Sequence, residues 1–120
     1  NNAIYREQSL LVQELAEKSD CVIVGRSADY ILRDKKPLRL FIYADMESRM
    51  ERCRKRAPEQ EHFTDKELRR HIQDVDKRRS KYYQFFTGQT WGEKLNYDLC
   101  INTSGANIED LVKVIAKLVK

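Results

Sequence analysis

Apolar positions along the chain follow two rhythms. Some recur every three to four residues, the period of a helix with one buried face. Others stand in short unbroken runs rich in Val and Ile, as in a strand covered on both faces. Residues 3–18 show the first rhythm: Ile4, Leu11, Val12 and Leu15 share a face, with Glu7, Gln13, Glu14 and Lys18 mostly away from it. Ser19-Asp20 ends that helix. Residues 21–24, CVIV, show the second rhythm and stop at Gly25, which turns the chain into Arg26. Ser27 is placed to cap a short helix reaching Leu32. A polar connection follows, and Pro37 marks its exit. Residues 38–44, LRLFIYA, predict a second strand. Asp45 caps a helix from Met46 to about Arg56, which Ala57-Pro58 stops. Residues 59–63 read as a polar loop.

A longer helix starts at Thr64 or Asp65 and runs to about Phe86. Leu68, Ile72 and Val75 give it a thin apolar stripe, and Tyr82, Tyr83, Phe85 and Phe86 thicken its end. Gly88 terminates it. Residues 87–92, TGQTWG, form a loop anchored by Trp91, and residues 97–101, YDLCI, a third strand. Asn107 caps a last helix, with Asp110 completing a near capping box. Its core stripe runs from Ile108 and Leu111 to Ile115 and Leu118, with Val112 and Val119. Strands alternating with helices imply an α/β fold with a parallel sheet and right-handed crossovers. A length of 120 residues suits one domain.

Composition narrows the class. The chain is 41% hydrophobic and 35% charged, a soluble composition at the charge-rich end. No apolar run approaches the roughly 18–20 residues of a membrane span, and no signal peptide is evident. Three cysteines without paired spacing point to a reducing, cytoplasmic compartment. Cys21 and Cys100 lie in apolar runs and read as core. Cys53, in a basic helix, is a candidate reactive thiol. His62 and His71, with no Cys nearby, make no metal site.

Charge adds a candidate ligand. The net charge is +4, with five cations in positions 49–56 and seven more across 66–81. Such clusters suit a polyanionic ligand, or a solvated helix face laced with i,i+4 pairs. Arg26 follows a strand end and a Gly, and ligands of open α/β sheets bind beyond the carboxyl ends of strands. The alternative is a surface Arg that caps a turn. Asp29 lies one turn on, near the same strand end. Arg49 and Arg52 share a helix face that begins close to the end of the second strand. Asp76 and Arg79, three apart on the long helix, are either a substrate-handling pair or a plain salt bridge.

Taken together, VIVGRSADYIL (22–32), LRLFIYADMESRMER (38–52), DVDKRRSKYY (74–83), TGQTWG (87–92) and YDLCINTS (97–104) resemble the cytidylate-kinase-like family of P-loop nucleoside monophosphate kinases. The likeness covers residues 8–119 and rests on several motifs in the right order. It implies a three-layer P-loop kinase-like fold, a parallel sheet with a helical lid over 64–92. It also implies transfer of the γ-phosphoryl of ATP, with Mg²⁺, to a CMP-like acceptor. Arg26 matches the Arg after Gly that holds the nucleoside monophosphate. Arg49 matches the Arg of the helix after the next strand, with Arg52 one turn on. Asp76 and Arg79 match the D-x-x-R pair of the lid, whose Arg reaches the phosphates and whose Asp helps place substrate. Arg suits transferring phosphoryl groups because its fork is bidentate and keeps its proton.

The chain departs from that family at named points. Val24 and Ser27 flank the Gly-Arg pair where acids are usual, and Asp29 comes later. Ile72 stands where the lid usually carries another Arg, which Arg69 or Arg70 replaces from the previous turn. These changes bear on base preference and acceptor. No G-x-x-x-x-G-K-[ST] occurs, and only four Gly are present. The Gly-rich loop that cradles donor phosphates, and the strand feeding it, are therefore expected upstream of Asn1, so that these residues form a partial kinase-like domain, inactive alone. Two other functions compete. The basic helices with Tyr82, Tyr83, Phe85, Phe86 and Trp91 suggest a nucleic-acid module, though helix-stripe spacing favours packing; a steep salt dependence of binding would mark it. A kinase-like fold without catalysis, binding nucleotide or a partner, is the other. The residues do not fix an oligomeric state.

Overall fold

The computed structural model describes residues 2–56 and 62–119. These form α1 (Asn2–Lys18), α2 (Ala28–Ile31), β1 (Leu40–Tyr43), α3 (Met46–Arg56), α4 (Asp65–Thr87), β2 (Leu99–Asn102) and α5 (Ile108–Ala116). β1 and β2 pair in parallel, in a register from Leu40 opposite Leu99 to Tyr43 opposite Asn102. The fold is thus α/β and mostly helical, with two parallel strands where three were expected. The predicted helix stop at Ala57-Pro58, and positions 59–61 of the predicted loop, lie outside the described residues.

The chain divides into two compact units. One holds Asn1–Arg39 with Ser80–Asp98, the other Leu40–Arg79 with Leu99–Lys120. Residues 65–79 of α4 therefore belong to the second unit and 80–87 to the first.

In the first unit α1 packs Val12 and Ala16, one helical turn apart, against Ala28, Ile31 and Leu32. Ile4, Leu11 and Leu15 stay exposed, so the buried side of α1 is narrower than the predicted stripe. The expected strand at 21–24 does not form. Ile23 packs on the Val12 cluster, while Val22 and Val24 are 94% and 88% exposed. That alternation is what an extended segment shows, but a strand also needs a ladder partner, and the described residues supply none to 21–24. Cys21, read as core, is exposed for the same reason, and Cys100 is exposed on β2.

Ser27 does not cap α2. An N-cap needs extended backbone so that its hydroxyl can reach back to a later N–H. Ser27 instead has φ 54° and makes no side-chain cap bond. Its Oγ is buried without a hydrogen-bond partner.

The second unit is centred on Met50, Leu68 and Ile72, with Met46 and Cys53 packed beside them; Leu68 is 0% exposed. Of the caps that frame it, those at Asp45 and Asn107 are the predicted ones, and the one at Thr64 marks a predicted helix start. Asp45 Oδ1 accepts from the Ser48 N–H at 2.7 Å. At the start of α4, Thr64 and Glu67 each accept the other's N–H at 3.2 Å, a reciprocal capping box. Asn107 accepts from the Asp110 N–H at 3.1 Å and starts α5. The stripe of α5 is not core, however. Ile108, Val112, Leu118 and Val119 are exposed, because an amphipathic period fixes which residues share a face and not what covers it.

Candidate functional site

The predicted residues fall into two groups, one in each unit: Arg26 and Asp29 in the first, and Arg49, Arg52, Asp76 and Arg79 in the second.

In the second unit the arginines gather on two anchors. Arg49 leaves the first turn of α3 and meets Asp76 of α4 through both terminal nitrogens, at 2.6 and 2.9 Å. This is the bidentate fork-to-carboxylate geometry that only Arg supplies. Arg79, one turn beyond Asp76, lies 3.6 Å from Oδ1 of that carboxylate, the oxygen that also accepts from Arg49 Nη2, and is 62% exposed. One carboxylate thus holds two guanidinium groups, one firmly and one loosely.

Arg52, one turn along α3 from Arg49, makes a different contact. It donates to Thr103 Oγ1 at 2.8 Å and to the Thr103 carbonyl at 2.6 Å. Thr103 follows β2 directly and is buried; its N–H and hydroxyl both donate to the Tyr43 carbonyl at the end of β1, at 2.8 and 3.0 Å. The Asp45 N–H donates to Ser104 Oγ at 2.6 Å. The carboxyl ends of both strands are therefore tied to one another and to Arg52. Asp45 sits at the same end, its carboxyl held below the usual range by the Ser48 N–H and hydroxyl.

Ile72, where the lid pattern has an Arg, is buried between Met50 and Leu68. A cation there would lose its hydration inside an apolar cluster. Arg69 and Arg70, the suggested substitutes, are exposed on α4. Cys53 packs beside the same cluster, which gives the thiol a packing role.

The first unit presents a different chemistry. Gly25, Arg26 and Ser27 have φ of 71°, 62° and 54°, three left-handed residues in succession. Gly adopts this freely, but Arg and Ser do so at a cost of about 1–2 kcal/mol each. The Arg26 side chain is exposed and forms no ion pair with Asp29. Asp29 instead accepts a hydrogen bond on Oδ2 from the Tyr83 hydroxyl of α4, at 2.7 Å. That hydroxyl also lies 2.9 Å from Gln89 Oε1. One phenolic proton cannot serve two acceptors. The carboxylate, which only accepts, takes it, and the Gln89 amide meets the phenol best when rotated to donate its N–H. Burial, then the bond to Asp29, pushes the Tyr83 phenol well above its ordinary range. Thr87 holds the far side: its hydroxyl donates to the Tyr83 carbonyl at 2.6 Å and accepts from the Gln89 N–H at 3.1 Å.

Tyr83, Gln89 and Thr103 were absent from the sequence-based selection. Tyr83 read as one aromatic of a helix stripe, and Gln89 and Thr103 as loop polars. The available signal was position: Thr103 directly follows an apolar run, and Gln89 follows the Gly that ends α4. Of the aromatics proposed as a stacking platform, Tyr82, Tyr83 and Phe86 pack inside the first unit, while Phe85 is 69% exposed. Tyr5 stacks on Phe86 with centroids 4.1 Å apart and 6° between planes, Tyr82 tilts against Phe86 at 4.7 Å, and Tyr83 is buried. No helix among the described residues is long and apolar enough to cross a membrane.

A model of the cytidylate kinase-like family matches residues 1–105. The crystal structure of an uncharacterized protein from Eubacterium ventriosum ATCC 27560 superposes with a TM-score of 0.86 at 28% identity, covering 97% of this chain. The match takes in 64% of that protein, so this chain spans under two-thirds of its length. A search of curated proteins finds no match.

Proposed function

The chain belongs to the cytidylate kinase-like family, and from that premise we propose that it is part of a phosphotransferase. The intact protein would move the γ-phosphoryl of ATP to a CMP-like nucleoside monophosphate. The observation that carries this reading is the pair of guanidinium groups, Arg49 and Arg79, sharing the Asp76 carboxylate. Phosphoryl transfer spreads charge over the equatorial oxygens and asks the protein chiefly for positioned cations. In this reading Arg79, the looser and more exposed partner, leaves Asp76 for the transferring phosphate. Asp76 keeps Arg49 in place and helps set the acceptor. Arg52, anchored on Thr103 at the strand ends, adds positive charge beside them. Arg26 and Asp29 serve the acceptor. Closure of the 64–92 segment would exclude water and suppress hydrolysis.

In this reading Mg²⁺ enters as part of the ATP substrate, carried by its phosphates, and no step is assigned to it on these residues.

A non-catalytic nucleotide-binding or partner-binding role is the second reading. It draws on the same geometry, since Arg49 and Arg52 are already satisfied by Asp76 and Thr103. A coupled assay of the full-length protein with ATP, Mg²⁺ and each nucleoside monophosphate separates the two. Turnover with CMP or dCMP preferred is expected. Arg79→Ala is expected to lower kcat/KM by about 100-fold or more, and Arg49→Ala by a similar factor. Unchanged rates in both variants would overturn the assignment, and absence of turnover in a folded protein that binds nucleotide would favour the second reading.

A further inference from the structure

Tyr83 and Gln89 have no assigned task in the reading above, yet they are placed on a residue that does. Asp29 uses only Oδ2 within the first unit. Its Oδ1 has no hydrogen-bond partner among the described residues, and Arg26, three residues earlier, leaves it unpaired. An Arg and an Asp one turn apart would ordinarily meet. Here the left-handed backbone of Arg26 and Ser27 and the grip of Tyr83 hold them as separate groups, one cation just before α2 and one half-occupied carboxylate in its first turn.

We infer that Tyr83, steadied by Gln89, is a positioning residue that fixes Asp29 so that its free Oδ1 selects the acceptor by accepting a hydrogen bond from it. This rests on the phosphotransfer reading and deepens it. A carboxylate oxygen only accepts, so the acceptor edge it meets carries an N–H or O–H. The exocyclic amine of a cytosine-type base and a ribose hydroxyl both qualify, and Arg26 takes the phosphate of the same molecule.

The geometry supports a positioning role over simple packing. Tyr83 is nearly fully buried, so its hydroxyl pays desolvation unless it is bonded, and its proton goes to Asp29. The backbone that presents Gln89 is pinned separately, by Thr87. The amide is therefore held from one side and the carboxylate from the other, with the phenol between. Loss of the hydroxyl would leave the ring packed and Asp29 free to rotate.

The test uses the full-length protein as wild type, Tyr83→Phe, Asp29→Asn and the double variant. CMP affinity is measured by calorimetry, with KM for acceptor and ATP from the coupled assay and melting midpoints as a folding control. Tyr83→Phe and Asp29→Asn are each expected to weaken CMP about tenfold. The double variant should be no weaker than the worse single one, and the KM for ATP should not move. Asp29→Asn should level the preference between CMP and UMP where the base amine is the donor, and between CMP and dCMP where the ribose hydroxyl is. Should Tyr83→Phe fail to fold, Gln89→Leu takes its place, with a smaller loss of CMP affinity expected. Full CMP affinity in a folded Tyr83→Phe or Gln89→Leu variant, beside a weakened Asp29→Asn, would overturn the inference and leave the phosphotransfer reading intact. A folded wild type that neither binds nor phosphorylates any nucleoside monophosphate would overturn both.

Discussion

Asp98 and Arg39 show how much one pair of side chains can do beside a short strand. Asp98 Oδ2 accepts the Arg39 backbone N–H at 2.7 Å, and the Asp98 N–H donates to the Arg39 carbonyl at 2.8 Å. The guanidinium adds contacts at 3.4 Å to each carboxylate oxygen. These bonds, the backbone one first, hold the Asp98 carboxyl below its usual range. A carboxyl lowered on folding contributes stability above its unfolded value and loses it as the pH falls toward the folded one. The melting midpoint of Asp98→Asn is therefore expected to lie below wild type at neutral pH. The gap should close as the pH falls below about 4. A gap that widens in acid would contradict the assignment. Residue-scale legibility was uneven in the same way. Asp45 and Asn107 were readable as caps, and Thr64 as a possible helix start, because a cap is a local bond between near neighbours. Ser27 was not, because its conformation is set by a left-handed run that no single side chain announces.

At the scale of elements, the end of α4 is the clearest case of sequence dictating shape. Gly88 has φ 72° and its N–H donates to the Gln84 carbonyl at 2.8 Å, closing the helix. A Cβ added there would meet nothing within 4 Å, so the penalty of Gly88→Ala is conformational and not steric. It is expected to cost about 1–2 kcal/mol in urea unfolding. It should also loosen the Thr87–Gln89 turn that presents the Gln89 amide. Two strands were legible as apolar runs because each found the other as a parallel partner. The run at 21–24 carries the same signal, but a run of Val and Ile says nothing about who will pair with it. The stripe of α5 fails for a related reason: periodicity identifies a face and leaves its neighbour unnamed.

At the scale of the whole chain, the surface carries apolar side chains that the charged composition does not suggest. Val22 and Val24 stand almost fully in water on a segment with no strand partner among the described residues, beside exposed Cys21. Unpaired β-branched segments invite pairing with other chains. The double change Val22→Thr and Val24→Thr is expected to raise the solubility of the 120-residue chain. Stability should stay within about 0.5 kcal/mol, as for other exposed positions. Unchanged solubility would mean that other surfaces drive association. Family membership was legible at this scale, as a pattern of motifs. The motifs carried it, whereas the sharing of Asp76 by Arg49 and Arg79 depends on two helices meeting, which linear spacing does not report.

The parallel register of β1 and β2 also has a consequence for synthesis. The residues that meet beside it, Arg39 and Asp98, are 59 positions apart. Closing a loop of that length costs roughly 3–4 kcal/mol in chain entropy from its logarithmic dependence alone, so this pairing belongs to the slow, non-local class of folding events. At about 5–20 residues per second, β1 would leave the ribosome roughly 3–12 s before its partner. During that interval LFIY lacks the ladder that β2 supplies.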